Sequence, residues 1–310
     1  MNWILLATLG QFLNAIVAIV DKYIVSDEKA LPRPFVYAFY SCLLTGFWAG
    51  IFFLGLIPPL AALGMPSLMN VSFPDITIVS MSFMSAYTFF MALVSMYVAL
   101  KDADASNVIP IIGATSALST FGLNYLFLDA ALTPGHILGI FLLSAGTLLV
   151  AKTLPTVNVA MHVLHSGIFF ALHYIVMKGL FIETSFENGF FWSRVSFVLF
   201  GLSLLLVPVY LKKIRGQSKS SSRRTGVLVI INKTLAGVAA YLLLIATDIG
   251  DVAVVQALDG LKFVFILLIA ALFHHWLPDA AVEKDNRPRV VLQKFVYVTF
   301  ILLGFMALFA

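Results

Sequence analysis

Seven ionisable side chains lie inside otherwise apolar runs in the second half of the chain: His162, His165, His173, Arg194, Lys233, Asp259 and Lys262. Such a group costs about 3 kcal/mol on insertion scales when placed in hydrocarbon, so it faces a bundle interior or a wet cavity. Asp259 and Lys262 stand out. Three apart on a helix, they share a face and are spaced to pair, and Lys262 falls about 16 Å into its run, too deep for its stem to reach an interface easily. The pair is either an intrahelical brace packed against another helix or a cavity group that meets a solute charge or a coupling proton. Lys233 lies about 10 Å from a basic loop, so its ammonium either snorkels outward or lines the same cavity. Arg194 is shallower and reads as an interfacial anchor.

His165 and His173 are eight residues apart and share roughly one helical face, with His162 a turn earlier. Histidine titrates near neutrality and is able to carry a proton; hydrogen-bonded packing is the other reading. No carboxylate or thiol lies within an adjacent turn to complete a metal site, and the sole cysteine, Cys42, excludes a disulfide framework and Cys-based zinc. In the first half the polar residues within runs are mainly uncharged: Gln11 and Asn14 on one face of the first run, then Tyr87 and Asn124. Gln11 and Asn14 either bond a neighbouring helix or present amide dipoles to a polar solute, and Asn107 and Gln256 divide the same way. The candidate binding set is Gln11, Asn14, Tyr87, His165, His173, Lys233, Gln256, Asp259 and Lys262. No catalytic residue, metal or cofactor is expected.

Such residues need elements that hold them at depth. Of 310 residues, 61% are apolar and 11% charged, with a mean hydropathy of +1.01. A soluble domain carries about 25% charged residues, so water is not the main solvent for this chain. A crossing takes about 20 mostly apolar residues. Ten such runs are expected, at about 3–21, 35–57, 76–99, 106–128, 133–151, 158–180, 189–211, 226–247, 252–277 and 292–310. They lack the period-two alternation of a membrane barrel. The expected fold is an all-α membrane protein with ten transmembrane helices.

Sorted by parity, the basic residues crowd into the loops opposite the termini, from Lys22, Lys29 and Arg33 through Lys101, Lys152 and the 212–224 loop to Lys284, Arg287, Arg289 and Lys294. Lys178 is the basic residue on the terminal side, where Asp75, Asp129, Glu183, Glu187 and Asp248 fall. Because cytoplasmic loops hold the Lys/Arg excess, both termini are expected outside and the 212–224 loop in the cytoplasm. The first run has no basic residues before it and reads as a first helix, not a cleaved signal. A multi-pass protein of a prokaryotic cytoplasmic membrane is expected, as monomer or homodimer. Anionic lipids would meet its basic loops, and nucleic acid is not an expected partner.

The chain also compares with itself. At an offset of 146, Asp102 meets Asp248, Val108 meets Val254, Leu126 meets Leu272 and Phe127 meets Phe273; at about 156, Ala15, Ile19, Val20 and Lys22 meet Ala171, Ile175, Val176 and Lys178. A Lys ending the first helix and an Asp before the fourth recur at matching places. Five helices is an odd number, so two consecutive units, residues 1–152 and 153–310, insert from opposite faces as inverted five-helix repeats. Such a pair has two near-equivalent arrangements, open to one side or the other.

At the stretch from Ala99 through Asp104-Ala-Ser-Asn-Val-Ile-Pro110 to Tyr125-Leu-Phe-Leu-Asp-Ala130, with Leu132-Thr-Pro-Gly135, Gly139 and Gly146, the chain resembles the drug/metabolite transporter superfamily, and within it the ten-helix EamA-like transporters. The second copy runs from Asp251-Val-Ala-Val-Val-Gln-Ala257 to Ala271-Leu-Phe273. Where members show a Phe-Leu-Gly-Glu-like end, this chain has Asp129 without the Gly, and its second copy reads Phe273-His-His-Trp276. The resemblance implies export or exchange of small solutes without naming the cargo.

Direct use of ATP is not expected, since no Gly-Lys-Thr/Ser phosphate loop occurs. A proton gradient or counter-exchange would drive a secondary carrier. The alternative is a membrane-embedded enzyme acting on a lipid-linked substrate, for which buried Asp, Lys and His would serve; no His-Glu-x-x-His or paired-carboxylate motif favours it.

Overall fold

The computed structural model describes residues 3–26, 31, 33–62, 65–103, 105–127, 133–150, 156–218, 223–272 and, further on, 296, 299–300, 303–304 and 306–307. The expected tenth run lies largely outside them, as do Asp104, Asp129 and Phe273 to Trp276. The helices in order are α1 (Trp3–Ser26), α2 (Pro34–Gly46), α3 (Pro58–Ala61), α4 (Ile76–Asp102), α5 (Ala105–Phe127), α6 (Pro134–Val150), α7 (Val157–Glu183), α8 (Phe186–Leu204), α9 (Pro208–Ser218), α10 (Arg223–Ile249), α11 (Val252–Ala257) and α12 (Asp259–Leu272). Phe47–Leu56 and Leu68–Asn70 are 3-10 turns, and no strand occurs among the described residues.

The helices begin where local chemistry allows. Asp75 caps α4 by accepting from the Ile78 amide (2.8 Å), Thr156 caps α7 through Val159 (3.3 Å), and Ser185 caps α8 through Asn188 (3.2 Å). Pro34, Pro134 and Pro208 occupy first helical positions, where a missing amide hydrogen costs nothing. Among the described residues, five segments are long and apolar enough to cross a membrane: α1, α2 with its 3-10 continuation, α4, α7 and α10. A sixth is added if α8 and α9 count as one broken span.

That broken span corrects the expected run at 189–211. It is not one helix: α8 ends at Leu204, and α9 leaves it at 96°. Pro208 disfavours helix in the residues before it. The bend diverts Lys212, Lys213 and Arg215 away from the path of α8, which would otherwise carry three charges onward. The run at 252–277 is also interrupted, at Leu258 between α11 and α12.

The outer surface is oily. Phe73 is 96% exposed, Leu206 83% and Ile76 78%, among many Leu, Ile, Val and Phe side chains in the same state. Apolar exposure on this scale belongs in lipid, so this is a helical protein of the membrane with several spans. Inside, the most extensive contacts join α4 to α7 and α1 to α10, with α5 against α7 and α8 against α4. The most extensive contacts of the first half are thus with the second, while α5 also packs on α6 and α2 on α4. Where α10 meets the 3-10 segment after α2, Gly237 lies against the Trp48 indole with no room for a Cβ. Gly237→Ala is expected to cost about 1–3 kcal/mol through overpacking, read as a lower unfolding midpoint in detergent; an unchanged midpoint would contradict this contact.

Candidate functional site

Between the halves lies a cavity of about 130 Å³. One stripe of α1 lines it, Asn14, Val17, Ala18 and Asp21, at the three- and four-residue spacing of one helical face. A matching stripe of α10 supplies Lys233, Ala236 and Ala240. Gln256, Asp259 and Lys262 come from α11 and α12, Ser116 from α5, Ser41 and Thr45 from α2, Tyr97 from α4 and Tyr174 from α7. The remaining wall is apolar, with Phe89, Leu93 and Phe170 among it.

Asp21 holds one end. Its Oδ1 accepts from Lys233 Nζ at 2.7 Å, from Asn232 Nδ2 at 2.7 Å and from the Tyr37 hydroxyl; its Oδ2 accepts from the Tyr97 hydroxyl at 3.3 Å. Lys233 also donates to the Tyr97 oxygen at 2.8 Å, and its ammonium lies 4.5 Å from the centre of the Tyr37 ring and 5.2 Å from that of Tyr97. Ser41 Oγ is 3.2 Å from the same Tyr97 oxygen. Four helices, α1, α2, α4 and α10, thus meet on one buried carboxylate, with Asp21 and Lys233 each only 4% exposed at the side chain. A pair so desolvated survives because hydrogen bonds satisfy its remaining lone pairs and protons.

The other pair is Asp259 Oδ1 and Lys262 Nζ, 2.7 Å apart on the first turn of α12. It is less enclosed, each side chain being 14% exposed. Asp259 Oδ2 leans over Gly113 of α5, where a Cβ would sit 2.6 Å from it. Beside it, Ser116 donates to Gln256 Oε1 at 3.1 Å. A backbone donor is missing on one side and the helix is broken on the other. Pro110 sits inside α5, and α11 gives way to α12 at Leu258, two residues after Gln256. Irregular backbone at membrane depth is tolerated where protein or a wet cavity surrounds it.

Two lysines do the same work in the two halves. Lys22, near the end of α1, donates to the Leu100 and Ala103 carbonyls at the end of α4 (2.6 and 2.8 Å). Lys178, near the end of α7, donates to the Asp248 and Gly250 carbonyls at the end of α10 (2.6 and 3.2 Å). Each completes carbonyls that a helix leaves unpaired and sets positive charge at the negative end of its dipole.

Of the residues singled out from sequence, Asn14, Lys233, Gln256, Asp259 and Lys262 line this cavity. Lys233 turns inward to Asp21 and does not snorkel. Gln11, buried a turn from Asn14, lies outside the lining. Tyr87 is 45% exposed and rests on Phe169 and Phe200. His165 Nδ1 is 2.7 Å from Ser95 Oγ, and His173 Nδ1 is 3.1 Å from Ser85 Oγ and from the Ser85 carbonyl oxygen. His173 stands one layer behind the wall, its ring 5.1 Å from that of Phe89. Arg194 corrects the expectation of an interfacial anchor: it is 2% exposed, its guanidinium held between Phe190 (4.7 Å) and Phe197 (4.5 Å), four residues before and three after it on α8. Depth counted along the run could not show that this face of α8 turns inward. Among the described residues, no group of three or more His, Cys, Asp or Glu is placed to hold a metal.

Asp21, Tyr37, Tyr97 and Asn232 were not legible as site residues. Asp21 reads as the polar end of a run closing at 21, whereas α1 continues to Ser26 and carries it inside. The available signal was its seven-residue spacing from Asn14, which places both on one face.

No known family profile and no curated protein matches the chain. Among solved structures 27 chains match. One of them, described only as "Crystal structure of protein", is 17% identical, with a TM-score of 0.62 over 98% of this chain and 99% of its own. At that identity the likeness shows a shared fold along nearly the whole chain and is silent on activity.

Proposed function

We propose that this protein is a secondary transporter, an exporter or exchanger of small polar or amphipathic solutes, working by alternating access around the cavity of Asp21, Lys233, Asp259 and Lys262. The observation that carries it is a charged cavity, deep among membrane-crossing helices, whose wall is drawn from both halves of the chain. A purely structural core has no need of two ion pairs there, because apolar packing of similar volume is as stable or more so.

Ten crossings in two inverted repeats, residues 1–152 and 153–310, are part of the proposal, in the manner of the drug/metabolite transporter superfamily. Several features support it. Lys22 and Lys178, 156 residues apart, bond the ends of α4 and α10 in the same way. Pro110 lies inside α5 and its counterpart 146 residues on, Gln256, lies two residues before the α11–α12 break, while Gly113 and Asp259, again 146 apart, touch each other. Residues related by a twofold axis meet in this way when the axis passes between them. The α11–α12 break lies at the wall of the cavity, and broken helices are where carriers of this kind bind solute.

In this reading both termini lie outside and α9, with Lys212, Lys213 and Arg215, rests on the cytoplasmic leaflet among anionic headgroups. Proton coupling would use Asp21 or Asp259, each of which holds a lysine that a proton would release. A C-terminal reporter active on one face only is expected to signal outside; a cytoplasmic signal would reverse the orientation. The direct test is purified protein in liposomes. A solute from a metabolite panel is expected to appear unchanged in the second compartment, dependent on Asp259 and Lys262, while chemical conversion without net flux would favour a membrane-embedded enzyme instead.

A further inference from the structure

Every other buried or half-buried cation with a described position has an oxygen partner. Lys233 has Asp21, Lys262 has Asp259, and Lys22 and Lys178 have helix-end carbonyls. Arg194 differs. It is 2% exposed, and among the described residues neither Nε nor Nη2 has a hydrogen-bond partner. Phe190 and Phe197 stack on the guanidinium, but a ring face offsets only part of its lost hydration and leaves the in-plane N–H groups unused. Those groups form the fork that fits a carboxylate or phosphate through two parallel bonds.

The position of Arg194 ties it to the cavity. Phe197, beneath it, stacks at 5.0 Å on Phe89, which lines the wall. Its backbone carbonyl adjoins Gly46, next to the lining residue Thr45. The Phe197 ring is also 6.0 Å from that of His173, which in turn lies 5.3 Å from the ring of Tyr174, another lining residue. The guanidinium therefore lies one side-chain layer behind the wall. The charges that line the cavity cancel in pairs: Asp21 with Lys233, Asp259 with Lys262. Among the described residues, Arg194 leaves this region one positive charge in excess.

We infer that the transported solute carries an oxyanion, a carboxylate or phosphate, and that Arg194 receives it when the Tyr174 side of the wall gives way during the transport cycle. This rests on the transport reading and names the class of its cargo. A neutral solute would leave the excess charge unanswered, and a cationic one would add to it.

The experiment is thermal unfolding of the full-length protein, purified in detergent without added lipid so that headgroup phosphate is not the source of the anion. Inorganic phosphate and succinate are titrated against chloride at constant ionic strength. Wild type is expected to gain stability saturably with phosphate or succinate over chloride. Arg194→Met is expected to melt no lower than wild type without oxyanion, because removing an unanswered buried charge relieves the fold, and to show no oxyanion response. Arg194→Lys, which keeps the charge and loses the fork, is expected to respond with half-saturation at least about tenfold higher. An oxyanion response unchanged in Arg194→Met overturns the inference. So does a wild type without any response, or an Arg194→Met protein that melts well below wild type while Arg194→Lys behaves as wild type, since the guanidinium would then be a packing cation. The two readings separate cleanly: flux of a neutral or cationic solute with no oxyanion response keeps the transporter and discards the cargo class, whereas an oxyanion response in a protein that moves nothing across liposomes does the reverse.

Discussion

Asp21→Leu is expected to destabilise the protein by about 3–5 kcal/mol, because it strands the Lys233 ammonium in a site where each partner is 4% exposed. Tyr37, Tyr97 and Asn232 lose an acceptor in the same step, so the loss is felt on α2, α4 and α10 together. Joining it to Lys233→Met removes both charges. The double variant is expected to return to within about 1 kcal/mol of wild type, since a buried pair replaced by well-packed apolar groups is often neutral or stabilising. It is also expected to transport nothing. Stability restored with flux lost is the signature of a pair kept for what it does; a double variant as unstable as the single would make the pair a structural brace. Unfolding midpoints in detergent, set beside flux in liposomes, read both halves of this cycle.

Asp259→Asn and Lys262→Ala are each expected to lower flux by roughly 30-fold to several thousand-fold, the kinetic equivalent of losing about 2–5 kcal/mol from a charged contact. Folded protein should remain in the membrane at near wild-type yield, because this pair is more open than the first and is held by one bond between neighbours on a single helix. Gly113→Ala approaches the same site from the other helix. Its methyl would sit 2.6 Å from Asp259 Oδ2, so the carboxylate must turn away. Flux is expected to fall although no polar group has been touched. Wild-type flux in all three variants would remove Asp259 and Lys262 from the cargo path.

Composition and the length of the apolar runs made the helical, membrane-borne character of the chain readable, since nothing else accommodates 61% apolar residues. The charged residues of the second half were conspicuous because each interrupts an apolar run, and three of them, Lys233, Asp259 and Lys262, line the cavity. Asp21 was hidden by its neighbour. Next to Lys22 it looks like the polar end of a helix, and only packing shows that α1 carries both side chains inward to different partners. Tyr37 and Tyr97 were hidden for another reason: in an aromatic-rich membrane chain a tyrosine reads as filler until its hydroxyl is seen to bond a carboxylate. Arg194 and Tyr87 went opposite ways, one buried and one outward, because hydropathy fixes depth along a helix and leaves rotation about its axis to contacts between helices. The bend after Leu204 was legible in retrospect from Pro208 and the basic residues that follow.

The central claim is that one cavity is reached in turn from the two faces of the membrane. Cys42 is the sole cysteine and is buried, so Cys42→Ser with Ala236→Cys places a single thiol on the cavity wall, one turn from Lys233. A membrane-impermeant thiol reagent is applied to one face and then the other of oriented vesicles. Alternating access predicts labelling from both faces, with a solute gradient shifting the balance between them. Labelling from a single face, whatever the direction of the gradient, would contradict it.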